Sequence, residues 1–345
     1  MVAMLLLCIG AAAGQSSSAR RKIFIDQDVR GPAGTDLQSM LALLQAPQAE
    51  VLGISITSGD GWAKAGAQNA LRMLELTGHA TVPVDVGAEF PFINSREETL
   101  EWESKFGVMA YKGAWNESGY HEPDIVPPLR AGPTHLKVVD RHGADLLWDT
   151  VRRNPNEVTV WVGGPLTTVA MALRLHPELP QMAKELVLMG AGFNVDKGGN
   201  HRINGRREFN WWFDPEAARM VMSANWKKIT ITPVDISVKT EWTEKLKAEV
   251  AKADSKAARY LAEYAGTSGY MWDEIAALAW LDPSIITRQQ ELWVNVDIDH
   301  GPSYGQTIFM EKEVKAPSWF WKSATVQWDL DTSKFYELFV SLMKR

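Results

Sequence analysis

The sequence predicts an α/β fold, a single domain whose mostly parallel central sheet is flanked by helices in a Rossmann-like way. Two observations carry that prediction. Short apolar runs end repeatedly in Asp- or Gly-rich turns and then pass into helical patterns. No Pro/Gly/Ser-rich linker, internal repeat or low-complexity tract interrupts the alternation after residue 22, so residues 22–345 read as one domain. Apolar residues make up 46% of the 345 and charged residues 23%, the balance of an ordinary globular domain with ample core. A net charge of −6 with no basic block excludes nucleic acid as the main partner.

Before the domain, Met4-Leu-Leu-Leu-Cys-Ile9 leads into Gly10-Ala-Ala-Ala-Gly14, an apolar run followed by small residues. Residues 1–21 therefore read as a signal peptide and short linker, which predicts a secreted or periplasmic protein over a cytoplasmic one. The run is too short for a permanent membrane anchor. Its Cys8 is the only cysteine, so the mature chain would carry no disulfide.

The domain opens with Ile23-Phe24-Ile25, a strand that ends on Asp26-Gln-Asp28. The turn Arg30-Gly-Pro-Ala-Gly34 follows, and Thr35 or Asp36 is placed to cap a helix carrying Leu37, Met40, Leu41 and Leu44. Val51 to Thr57 is the next strand, leaving through Ser58-Gly59-Asp60-Gly61-Trp62 into a helix over Ala67–Leu76. Val82 to Val86 is a third. From about Phe90 to Pro133 no regular period appears, which marks a functional loop rather than filler. Ala144 to Arg152 is helical, and Val158 to Val162 is a strand that exits through Gly163-Gly-Pro-Leu-Thr167 to a helix from Val169. Leu186 to Met189 and Ile229 to Asp235 repeat the pattern.

In an open α/β sheet, ligands bind beyond the carboxyl ends of the strands. The groups delivered there are Asp26, Asp28 and Asp36; Asp60; Gly163 and Gly164; Asn194 and Asn200; Glu208 and Asn210; Asp235; and Asp273. Taken singly, each is an ordinary turn former, strand end or cap. Taken together they form a set of hard oxygen donors, and carboxylates crowded in one turn call for protons or a cation such as calcium or magnesium. The fifteen tryptophans belong mostly to core, but flat indoles also suit a planar ligand.

Five motifs occur in order: Asp26-Gln-Asp28…Asp36, Gly164-Pro-Leu-Thr167, Leu188-Met-Gly-Ala-Gly192, Glu208-Phe-Asn210-Trp-Trp-Phe-Asp214-Pro-Glu-Ala-Ala218 and Trp272-Asp273. Together they resemble the motifs of the nucleoside hydrolases, the inosine–uridine-preferring N-ribohydrolases, over nearly all of residues 22–345. The Glu208–Ala218 block is the most specific. The resemblance implies a calcium-dependent hydrolysis of the N-glycosidic bond of ribonucleosides, in a homodimer or homotetramer. It implies Asp28, Asp36, the carbonyl of Gly163 and Asp273 as calcium ligands, with Asp28 also the base that activates water. Asn200, Glu208 and Asn210 would clamp the ribose hydroxyls, Met189 would pack beside them, and Asp26 would hold the turn.

Two positions depart from the family pattern. Where the family carries a pair of aspartates, this chain reads Thr35-Asp36 after a turn three residues longer. The missing carboxylate is the one that binds the ribose 2′-hydroxyl, so Thr35 takes that place as a neutral partner. Trp272 stands where uridine-accepting members carry a histidine that protonates the leaving base. Trp272 and Asp60 instead resemble the purine-specific inosine–adenosine–guanosine branch, and Trp102 is the expected opposing wall, with Trp62 its rival. The expectation is a purine ribonucleoside hydrolase. Alternatives are a catalytically impaired nucleoside-binding homologue, a hydrolase of a different riboside, and, more distantly, a metal-free carbohydrate-binding protein.

Overall fold

In the computed structural model, which describes residues 19–194 and 206–345, the chain is organised about the strand β1 (Arg21–Gln27). The other strands are β2 (Ala49–Ile56), β3 (Val84–Val86), β4 (Thr159–Val162), β5 (Glu185–Met189), β6 (Ile229–Thr232), β7 (Ile286–Val296), β8 (Thr307–Glu311) and β9 (Lys322–Leu330). Among the described residues they form one sheet in the order β3-β2-β1-β4-β5-β6-β9-β7-β8. Every pairing from β3 to β9 is parallel, whereas β7 runs antiparallel to both β9 and β8.

β1 is the switch point of the sheet. The chain crosses from it to β2 on one side and later returns to place β4 on the other, with Ile25 opposite Ile54 and Trp161. A crevice therefore opens beyond the carboxyl ends of β1 and β4, where an open sheet binds its ligand. Both faces of the sheet are covered, so β1 reads as a continuous apolar run rather than an alternating one. Ile23 and Ile25 pack against Leu37, Met40, Leu41, Ile275 and Phe339 from helices on one face. Phe24 packs on the other face with Leu147, Val151, Val169 and Val221.

The helix after β1 spans Thr35–Gln45, as its periodicity predicts, but neither Thr35 nor Asp36 caps it. Gly34 is the cap residue, and both side chains are turned to other partners. The irregular stretch also needs correction, since Arg96–Phe106 is a helix capped by Ser95, whose Oγ accepts from the Glu98 N–H. Only Thr99 and Trp102 of that helix are buried, so it lacks the apolar stripe that marks a helix in sequence. The rest of the stretch is irregular apart from a short turn at Gly113–Trp115.

The segment Met4–Gly14 read as a signal peptide lies outside the described residues. Arg21, assigned by sequence to the linker, is the first residue of β1. Among the described residues no helix is long and apolar enough to cross a membrane.

Candidate active site

The crevice holds a cavity of about 340 Å³ lined by Asp28, Thr35, Asp36, Asp60, Tyr111, Gly163, Met189, Glu208, Phe209, Asn210, Val234, Trp272 and Asp273. Its floor is built at the carboxyl end of β1. Gln27, fully buried, accepts from the Asp28 N–H at 3.0 Å and donates through Nε2 to Asp273 Oδ2 at 3.2 Å and Ser39 Oγ at 3.3 Å. It thereby ties the strand end to the helix bearing Asp36 and to the helix Trp272–Leu281. Asp28 Oδ2 accepts from the Asp60 N–H at 2.8 Å, and Asp36 Oδ2 from the Arg30 N–H at 3.0 Å.

Glycines make the close packing around Asp28 possible. A Cβ on Gly59 would lie 2.2 Å from Asp28 Oδ2, and one on Gly164 would lie 2.8 Å from Asp28 Cβ. A Cβ on Gly163 would meet the Gln27 amide at 2.4 Å. Each contact is shorter than nonbonded atoms tolerate, so no side chain fits there.

The opposite wall comes from the Glu208–Asn210 block. Glu208 caps the short helix Phe209–Phe213, accepting from Asn210 N–H at 2.9 Å and Trp211 N–H at 3.2 Å. It also accepts from Ala191 N–H at 3.0 Å, which Ala191 presents from a left-handed φ of 69°. Asn210 Nδ2 donates to the carbonyl of Gly163 at 2.8 Å and reaches Met189 O at 3.3 Å. A carbonyl oxygen has two lone pairs, so that of Gly163 keeps one beside this bond.

Burial dominates the electrostatics. It pushes the Asp28 carboxyl well above the usual range, and Asp60, Asp36 and Asp273 push it further. Asp273 is raised in the same way by burial, then by Asp36, Glu274 and Asp60. Burial lifts Asp36 to about 6, and with the Asp36 charge lifts Asp60 to about 8. Glu208 rises to about 7, again by burial. Asp273 lies in the first turn of its helix, where the backbone dipoles favour negative charge. Among the described residues, no three His, Cys, Asp or Glu side chains are already closed into a metal-ligating group. The donor set around the cavity is nevertheless all oxygen.

The cavity thus gathers Asp28, Thr35, Asp36, Asp60, Gly163, Met189, Glu208, Asn210, Trp272 and Asp273, as the sequence reading expects. Asn200 lies outside the described residues. Trp102 is a correction, for it does not line the cavity. Its indole donates to the Gly301 carbonyl at 2.9 Å and stacks on the buried Arg207 guanidinium, 3.5 Å from the ring centre. Trp62 is equally committed, donating to the His121 carbonyl within an aromatic cluster with Trp115 and Trp212. The aromatic residues that do line the cavity with Trp272 are Tyr111 and Phe209, packed edge to face at 5.0 Å. Phe209 was within reach, lying between Glu208 and Asn210. Tyr111 hydrogen-bonds Asp60, a contact made from a segment with no period to announce it. Asp26 faces away, bonded by the Ser55 hydroxyl, while its carbonyl accepts from the Gly163 N–H.

An acid-floored, aromatic-walled cavity at the switch point of a parallel sheet is the place where an open α/β protein binds or transforms a small molecule. Over residues 23–337 the chain matches the family described as inosine-uridine preferring nucleoside hydrolase, and it belongs to that family. It is 26% identical to the Crithidia fasciculata inosine-uridine preferring nucleoside hydrolase over 340 residues, 94% of this chain and 98% of that one. It is 25% identical to the Escherichia coli pyrimidine-specific ribonucleoside hydrolase RihB over 301 residues, 84% of this chain and 87% of the relative. Among solved structures, a purine-preferring ribonucleoside hydrolase from Gardnerella vaginalis superposes with a TM-score of 0.70 at 23% identity, covering 94% of this chain and 98% of that chain. The chain is thus a nucleoside hydrolase of single-domain α/β fold.

Proposed function

We propose that the protein hydrolyses purine ribonucleosides to free base and ribose in a calcium-dependent reaction. The observation that carries the base preference is that Trp272 and Asp60 line the same cavity as Asp28, Asp36 and Asp273, while no histidine does so among the described residues. Relatives of both preferences exist, so this reading rests on the site itself.

Asp28, Asp36, Asp273 and the carbonyl of Gly163 would hold the calcium. The fit rests on chemistry: hard oxygen donors suit this ion, and buried carboxylates that raise one another's affinity for protons also favour a cation. When bound, the ion lowers the pKa of a nearby water and orients it. Asp28 accepts the water's proton on Oδ1, its Oδ2 being held by the Asp60 N–H. The water oxygen bonds to the anomeric carbon as the C–N bond breaks, and that electron pair leaves with the base. Glu208 and Asn210 hold sugar hydroxyls and favour a flattened, oxocarbenium-like ring. Trp272 offers its face to the purine, which leaves as its N7 gains a proton from solvent; the indole favours the cationic ring.

The test is release of base from a panel of ribonucleosides with and without chelator, together with calcium binding by titration calorimetry. Purine release that chelator abolishes supports the reading. Binding of nucleoside without turnover would instead make the chain a nucleoside-binding homologue. We further propose that the protein is exported, on the strength of Met4–Gly14, which N-terminal sequencing of the mature chain checks.

A further inference from the structure

Three segments remote from one another in the chain meet on a side chain that the proposed chemistry does not use. Arg207 is 0% exposed and stands immediately before Glu208 in the cavity wall. Its Nε donates to the Tyr304 carbonyl at 2.8 Å, Nη2 donates to the same oxygen, and Nη1 reaches Met109 Sδ at 4.0 Å. The guanidinium lies over the Trp102 indole, 3.5 Å from the ring centre. Among the described residues no carboxylate pairs with it.

A buried cation is costly, and an apolar side chain of similar volume is often as stable or more so. Arginine supplies what an apolar residue cannot: a planar fork fixed by a carbonyl and laid on an aromatic face. The place of Trp102 is thereby tied to that of Glu208. From Trp102 the tie runs on to the cavity. Only Thr99 and Trp102 of the helix Arg96–Phe106 are buried, so Trp102 is its main anchor. The next residue, Glu103, accepts from the Met109 N–H at 2.7 Å and pairs with Lys112 at 3.0 Å. Met109 and Lys112 bracket Tyr111, which lines the cavity and meets Phe209 edge to face at 5.0 Å. Phe209 is itself two residues beyond Arg207.

We propose that Arg207 is a positioning residue for the nucleoside site, which through Trp102 and Glu103 holds Tyr111 in place against the Glu208–Phe209 wall. The inference rests on the cavity being that site, and on neither the purine preference nor the calcium. Its consequence is that substrate affinity depends on a cation that never touches substrate.

The test measures KM and kcat for whichever of inosine, guanosine and uridine the parent turns over best, together with hydrogen exchange over residues 96–113. The variants are Arg207→Met, Arg207→Lys, Trp102→Leu, Trp102→Phe, Glu103→Ala, Tyr111→Ala and the Arg207→Met/Tyr111→Ala pair. Arg207→Met should raise KM by about tenfold, the size of a lost desolvated cation–π contact, with a smaller change in kcat and a melting temperature near the parent's. Trp102→Leu and Glu103→Ala should act in the same direction, and Arg207→Lys and Trp102→Phe less strongly. Glu103→Ala leaves the buried cation untouched, so it reads the link even where Trp102→Leu does not fold. Exchange over residues 96–113 should quicken in Arg207→Met. With Tyr111 already Ala, Arg207→Met should raise KM no further. A residue serving stability alone would lower the melting temperature and leave KM as it was. Unchanged KM in both Arg207→Met and Glu103→Ala, or an equal rise with and without Tyr111, would overturn this inference while leaving the ribonucleoside reading intact. A parent that turns over none of the three nucleosides would overturn that reading instead. Exchange still decides the inference in that case, since unchanged protection over residues 96–113 in Arg207→Met would overturn it.

Discussion

The Asp60 N–H donates to Asp28 Oδ2 at 2.8 Å, so the carboxylate at the end of β1 is held by the turn that leaves β2. The Asp60 side chain is in turn hydrogen-bonded to Tyr111. One residue thus holds the proposed base through its backbone and lines the cavity with its side chain. Four consequences can be measured.

If Asp28, Asp36 and Asp273 share a calcium, removing one leaves too few oxygens to hold it. Asp36→Ala should lose calcium occupancy and activity together, and calcium should raise the melting temperature of the parent by mass action. Metal content measured on purified protein checks this. Full occupancy in Asp36→Ala would show that another residue is the ligand.

Asp28→Asn keeps an oxygen toward the Asp60 N–H but cannot take a proton from water. Turnover should fall by roughly a hundredfold or more, the usual loss for a general base, with a smaller change in nucleoside affinity. Single-turnover rates and equilibrium binding separate the two effects, and near-parent turnover would move the base elsewhere.

The proposed purine preference turns on Trp272, which lines the cavity. We expect kcat/KM for inosine or guanosine to exceed that for uridine by about tenfold or more, a barrier difference of about 1.4 kcal/mol. Trp272→Ala should lower kcat more than binding, by about tenfold, in line with ~1–2 kcal/mol for a desolvated cation–π contact, and Trp272→Phe should recover part of it. Equal efficiency on uridine and inosine in the parent would rule out the purine assignment.

Gly164→Ala tests the packing around Asp28. Its new methyl would fall 2.8 Å from Asp28 Cβ and Cγ, so the carboxylate or the turn must shift. Overpacking of this kind costs roughly 1–3 kcal/mol, and the displaced base should lower kcat beyond any loss of melting temperature. Parent-like turnover would show that the floor can yield without consequence.

How much of this was legible depends on how the chain delivers each residue. Asp28, Asp36 and Gly163 follow strands that the apolar pattern marks, whereas Glu208, Asn210 and Asp273 were legible only through the motifs that resemble the family. Trp272 came with Asp273. Trp102 was misplaced because a tryptophan in an irregular stretch carries no sign of which way it faces, and Arg207, its stacking partner, is remote in sequence. The helix Arg96–Phe106 was missed because its charged face outweighs its two buried positions, although Ser95 and Glu98 stand three apart as a cap would have them. The strands β7 to β9 are hard to read for a similar reason: in β7 five exposed polar residues follow Ile286, and the apolar positions resume only from Leu292.

The two sides of the cavity differ in what anchors them. Asp28 follows directly on β1, which is paired on both edges and buried on both faces, so it can be released only by opening the most protected part of the sheet. Tyr111 lies between the helix Arg96–Phe106 and the short turn Gly113–Trp115, in a segment that belongs to no strand of the sheet. Hydrogen exchange in such a molecule is graded, slow where opening requires global unfolding and fast where a local fluctuation suffices. On the proposed reading, exchange should be slow at the Asp28 floor and faster on the Tyr111 side, so that the cavity can open there while the proposed base keeps its place.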